Sequence, residues 1–141
     1  MTPTQVALVR GGFDRIAPVA EDVGLAFYQK VFQADPSLRA LFAEDLRPQI
    51  RHLMTALTMV IRSLDDLSPV IERIRMLGRR HASYGVKPQD FSTIGTALLA
   101  TLEEGLGEDF TDAARQAWTL AYTTLADAMM AAMAGATAAT R

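Results

Sequence analysis

The sequence predicts an all-α fold. Apolar residues recur at spacings of three and four along nearly the whole chain, the period of helices buried on one face. The β-branched alternation that strands need is scarce. The apolar runs are divided by helix-start and helix-stop chemistry at Asp35-Pro36, Arg47-Pro48, Ser68-Pro69, Gly85 and Pro88.

At 141 residues the chain is read as one domain, 1–141, long enough to bury a sizeable core. Its formal net charge of -2 gives no basic field for nucleic acid. The absence of cysteine excludes disulfides, thiolate metal sites and a cysteine nucleophile. The first residues are too polar for a signal peptide, and no apolar run approaches a membrane span. The expectation is a cytoplasmic protein with no nucleic-acid or membrane partner. Oligomeric state is not set by the sequence, and a weak homodimer is admitted.

The first helix begins at Thr2 or Thr4, buries Val6, Leu8, Val9, Phe13 and Ile16, and ends near Pro18. Gly11-Gly12 is costly inside it, but two small residues let another helix approach. The second helix, about 21–33, puts Leu25, Tyr28 and Phe32 on one stripe and Val23, Phe27 and Val31 on the next. Asp35 is a good cap with Pro36 first inside, and that short helix closes at Phe42. Residues 43–47 form a mobile polar connection. The next helix starts near Arg47-Pro48 and carries Ile50, Leu53, Leu57, Val60, Ile61 and Leu64, with Gln49, His52 and Leu53 grouped at its start.

Ser68 caps the following helix, which ends at Gly85. Ile71, Ile74, Leu77 and His81 share its buried face, while Arg73, Arg75, Arg79 and Arg80 take outer positions. Two long helices follow, about 88–106 and 111–133. Phe91, Ile94 and Leu98 line one side of the first, and Trp118, Tyr122, Leu125, Met129 and Met133 form the stripe of the second. Residues 134–141 read as a frayed tail.

His81 is thus a base in an apolar groove between two helices, the surroundings that a haem iron needs from an axial imidazole. On spacing alone such a histidine is more often a satisfied core residue than a ligand. The run LGRRH-x-x-YGVKP, the earlier QIRHLM and the later LGEDFTDAARQAW, with Tyr122 four residues after Trp118, resemble the globins. The likeness is to single-domain bacterial haemoglobins, of the flavohaemoglobin globin-domain type, and to neuroglobins.

That resemblance implies a globin fold of seven to eight helices packed around haem b, iron protoporphyrin IX. It implies His81 as the iron ligand, its other nitrogen bonded to the Leu77 carbonyl. Phe42, Leu53, Leu77, Val86, Phe91, Ile94 and Leu98 would contact the cofactor. Tyr28 and Gln49 would stabilise a gas ligand, and His52 would meet a propionate or compete as a distal ligand. Read without the resemblance, Tyr28 and Phe42 are core aromatics, Gln49 and His52 solvate a helix end, and the arginines form a solvated face.

Two departures stand out. Flavohaemoglobins pair the proximal histidine with a tyrosine and a glutamate, where this chain offers Phe91 and Ala132 or Met133. The chain is also too short to include a flavin reductase domain, so turnover would need a separate reductase.

The functional expectation is reversible binding of oxygen, nitric oxide and carbon monoxide, for oxygen storage or delivery. Nitric oxide dioxygenation with a separate reductase is the enzymatic alternative, and a non-haem helical interaction module is the third. Two histidines without a clustered third ligand do not suit a zinc hydrolase, and no nucleophile motif anchors a catalytic triad.

Overall fold

The computed structural model describes residues 1–139, which form six α-helices joined by 3-10 turns, with no strand among them. Helix α1 (Pro3–Ile16) opens on a capping box: the Thr2 hydroxyl accepts from the Gln5 N–H, and the Gln5 side chain accepts from the Thr2 N–H. A 3-10 turn, Ala17–Val19, leads into α2 (Ala20–Ala34). Asp35 accepts from the Ser37 N–H as the expected cap, but the short helix it opens is a 3-10 turn, Pro36–Leu41. Then come α3 (Arg47–Arg62), the 3-10 turn Ser68–Val70, α4 (Ile71–Ser83), α5 (Asp90–Leu106), the 3-10 turn Gly107–Asp109 and α6 (Asp112–Ala139). The resemblance implied seven to eight helices; the described residues hold six α-helices and four 3-10 turns.

Several local expectations are corrected. Ser68 does not cap with its side chain; its N–H donates to Asp66 Oδ1, so Asp66 organises that turn. Helix α5 starts at Asp90 rather than Pro88, because the chain turns through Lys87 first. The connection at 43–47 is braced: the Arg39 guanidinium donates to the carbonyls of Phe42, Ala43 and Glu44. Leu25 is 43% exposed rather than inward, since α2 carries more apolar arc than its neighbours cover. Helix α6 runs as far as Ala139. Of the tail read as frayed, 140–141 lie outside the described residues.

The core is built in three clusters. Val9, Phe13, Leu102 and Trp118 join α1, α5 and α6. Ile74, Phe91, Met129 and Met133 join α4, α5 and α6. Phe27, Tyr28, Val31, Leu38 and Ile50 join α2, its following turn and α3, with Ala97 of α5 beneath them.

Close helix crossings are set by small residues. A Cβ at Gly78 would lie 2.5 Å from the Met129 carbonyl oxygen, so α4 seats directly on the α6 backbone. Gly12 admits the Trp118 indole, as the paired glycines allowed, whereas Gly11 faces open space.

Candidate functional site

Helix α3 packs on α1 and α2, and α4 packs chiefly on α6, but α3 and α4 do not pack extensively on each other. Both are strongly amphipathic, so their apolar stripes stay only half-covered. Leu53 and Leu57 of α3, Leu77 of α4, and Ile94 and Leu98 of α5 are all half-buried. Half-covered leucines are unfavourable without a partner, because apolar area left in water forfeits about 25 cal/mol per Å².

His81 lies in the last turn of α4, half-buried on the stripe with Ile74 and Leu77. Its Nδ1 is 2.5 Å from the Leu77 carbonyl oxygen. A carbonyl only accepts, so Nδ1 is the nitrogen that carries a proton in this bond, and Nε2 is the one turned toward a ligand position. The bond orients the ring as a metal-ligating imidazole must be oriented. Its ring centroid lies 6.1 Å from that of Phe91.

The turn after His81 is tightly specified. The His81 carbonyl accepts from the Val86 N–H at 3.0 Å, and Gly85 takes φ +92°, a conformation that favours glycine. The buried Asp90 carboxylate accepts from the Lys87 N–H at 2.9 Å. These bonds fix Val86 beside the proximal cluster, where it packs half-buried. Asp90 did not stand out in the sequence reading. Its signal was an acidic residue three positions after the N–H it binds, at the mouth of a helix. Phe91 is held from α6, whose Tyr122 hydroxyl donates to the Phe91 carbonyl at 2.7 Å. Burial pushes the Tyr122 hydroxyl well above the ordinary tyrosine range.

A second set gathers around α2. Tyr28 is 4% exposed, with its ring 4.9 Å from that of Phe27 and 5.3 Å from that of Phe42. Burial raises its pKa, and a side-chain hydrogen bond with Gln49 acts in the opposite direction. The phenol stays protonated at neutral pH and keeps an O–H to donate. Phe42, Leu53, Ile94 and Leu98 pack against the cluster that holds Tyr28. His52 lies on the exposed side of α3. Arg79 and Arg80 are exposed as well.

The structure thus gathers the expected residues into two sets joined by α5. His81, Leu77, Val86 and Phe91 form one, and Tyr28, Gln49, Phe42, Leu53, Ile94 and Leu98 form the other. A flat apolar cofactor with one axial position fits: an imidazole with a free Nε2, apolar stripes left half-covered, and a neutral donor within the second set. No carboxylate among the described residues is hydrogen-bonded to His81; its acceptor is a backbone carbonyl.

The chain is similar to known proteins. Residues 25–129 match the globin family model. Neuroglobin of Tetraodon nigroviridis is 29% identical, with 86% of each chain covered. Neuroglobin of Danio rerio is 26% identical over the same share. A bacterial globin from Campylobacter jejuni superposes with a TM-score of 0.84, covering 95% of this chain and 97% of that one, at 20% identity. An engineered carbene transferase from Rhodothermus marinus, its parent named as a candidate nitric oxide dioxygenase, superposes with a TM-score of 0.88. It is 28% identical, with 99% of this chain and 97% of that chain covered. With the family model spanning most of its length, the chain belongs to the globin family, the haem proteins that bind diatomic gases.

Proposed function

We propose that this globin holds haem b through His81 and binds oxygen reversibly, with Tyr28 and Gln49 steadying the ligand. The observation that carries the proposal is the His81–Leu77 hydrogen bond, which occupies Nδ1 and leaves Nε2 as the ring nitrogen available to a metal beside half-covered apolar stripes. When bound, haem supplies a ferrous iron with one position for a diatomic ligand. Leu77 fixes the imidazole tautomer and ring plane. Phe42, Leu53, Val86, Phe91, Ile94 and Leu98 exclude water from the cofactor faces. The buried Tyr28 hydroxyl donates toward the negative charge that oxygen gains on binding, and Gln49 orients that hydroxyl. Oxygen storage or delivery follows as the role.

Nitric oxide dioxygenation, with electrons from a separate reductase, is the second reading. The resemblance to the engineered Rhodothermus marinus protein, over nearly the whole chain, favours it. It uses the same pocket and is distinguished by sustained nitrate formation once a reductase is added.

The test is an absorption spectrum of the purified protein, ferric and then dithionite-reduced, with and without carbon monoxide. The expected result is a Soret band that shifts on adding carbon monoxide. Absence of any haem band after growth with ample haem would return the chain to a helical interaction module.

A further inference from the structure

We propose that the outer face of α4 is a docking surface for an acidic electron-donor protein. The inference rests on the haem reading above and adds a partner to it. Along α4, Arg73, Met76, Arg80 and then Tyr84 follow at spacings of three, four and four, so they form one exposed stripe, with Arg79 beside Met76. Met76 is 50% and Tyr84 63% exposed, large apolar side chains held in water between cations.

The cations are distinguished by clustering on one element without a carboxylate to hold them. Elsewhere Arg10, Arg15, Arg47 and Arg115 each hold a carboxylate, and Arg39 holds three carbonyls. On α4, Glu72 is the single carboxylate, and Arg75 takes it. Arg73, Arg79, Arg80 and, on the following turn, Lys87 form no ion pair among the described residues. Arg51 and Arg62 are likewise unpaired, but they stand at separate places on α3. A net charge of -2 therefore coexists with a concentrated basic face.

That pattern fits an acidic partner. Complementary charge speeds encounter, and a small apolar centre ringed by charge suits the weak, short-lived complexes of electron transfer. Location supplies the role. Arg80 directly precedes His81 in the chain, and Tyr84 ends the helix that presents it. A donor seated here lies against the same helix that carries His81. With haem held by His81, a partner carrying a reduced flavin hydroquinone would supply one electron to ferric iron, becoming the semiquinone as the iron became ferrous.

The experiment uses the purified haem-loaded protein and a strongly acidic bacterial flavodoxin as the probe. Oxidised flavodoxin is titrated into isotope-labelled protein, and amide shifts are followed by NMR at low and high salt. The stopped-flow rate of reduction by flavodoxin hydroquinone is measured in parallel. Shifts should map to residues 73–87. Affinity and rate should fall at least about tenfold at high salt and in Arg73→Glu/Arg80→Glu. Arg73→Lys/Arg80→Lys should retain most of both, and the Soret band of each variant reports an intact pocket.

Shifts mapping elsewhere, no binding at low salt, or a charge reversal without effect would overturn the proposal. Binding of phosphatidylserine vesicles that the reversal abolishes, without flavodoxin binding, would overturn it in favour of a membrane surface. A protein that loads haem but does not bind flavodoxin removes this inference alone. A protein that takes up no haem removes the haem reading with it.

Discussion

The imidazole Nδ1 of His81 and the carbonyl oxygen of Leu77 lie 2.5 Å apart, one turn along the same helix. The bond fixes the tautomer with a neutral acceptor. A carboxylate in that place would give the imidazole anionic character and a stronger push toward a ligand on the far side of iron. This chain has a backbone carbonyl there, with Phe91 beside the ring. The proposed gas-binding role does not call on a strong peroxidase-like push, and this arrangement does not supply the carboxylate that would give one.

Tyr28→Phe should speed oxygen release. One charge-assisted hydrogen bond is worth about 1.5–3 kcal/mol, so the release rate should rise about ten- to a hundredfold. Stopped-flow displacement of oxygen by carbon monoxide measures it. An unchanged rate would remove Tyr28 from the site, while the apolar packing of its ring on Phe42 would stand.

His52 is exposed, one residue out of phase with the inward Leu53. His52→Ala should leave the ferrous spectrum five-coordinate and unchanged. A six-coordinate ferrous wild type that becomes five-coordinate in the variant would mean that α3 rotates to bring His52 onto the iron.

Two glycines should respond with opposite signs. Gly78→Ala forces a methyl against the Met129 backbone and should destabilise by about 1–3 kcal/mol. Gly11→Ala meets no atom within 4 Å and should stabilise by about 0.5–1 kcal/mol through helix propensity. Urea denaturation of both variants checks the pair, and equal effects would refute the crossing described for α4 and α6.

The contrast between these glycines shows what could be read from sequence. Residues that act within a turn or two were legible: Asp35 as a cap, Thr2 as one of two candidate starts, Gly85 as a stop, and His81 in phase with Leu77. Gly78 sits three residues from His81 yet gave no signal, because its role depends on Met129, some fifty residues away. Asp66 was overlooked in favour of Ser68, since both suit a cap and only the backbone path decides. The exposure of Leu25 was illegible for a similar reason: an apolar stripe says which face is greasy, not how much of it neighbours reach. Tyr28 and Gln49 were named by resemblance, and their hydrogen bond needed the α2–α3 packing to appear.

Alkaline pH should weaken the fold through its buried tyrosines. Burial raises the pKa values of Tyr28 and Tyr122 above the unfolded value of about 10. Above that pH the unfolded chain sheds protons that the folded chain keeps, so the unfolded state gains. The contribution is complete below about pH 10 and is lost as pH climbs toward the folded values. Urea midpoints should be level from neutrality to about pH 9 and then drop, less steeply in Tyr122→Phe. An identical alkaline slope in that variant would count against this assignment.

The most direct test of the central claim is cavity rescue at position 81. His81→Gly removes the imidazole that α4 presents and leaves a space of its size. Purified His81→Gly should retain haem poorly and lack the wild-type ferrous spectrum, and free imidazole in the buffer should restore both retention and spectrum. A variant that kept wild-type haem content and axial ligation without imidazole would contradict the account, because iron would then be held by a residue other than His81.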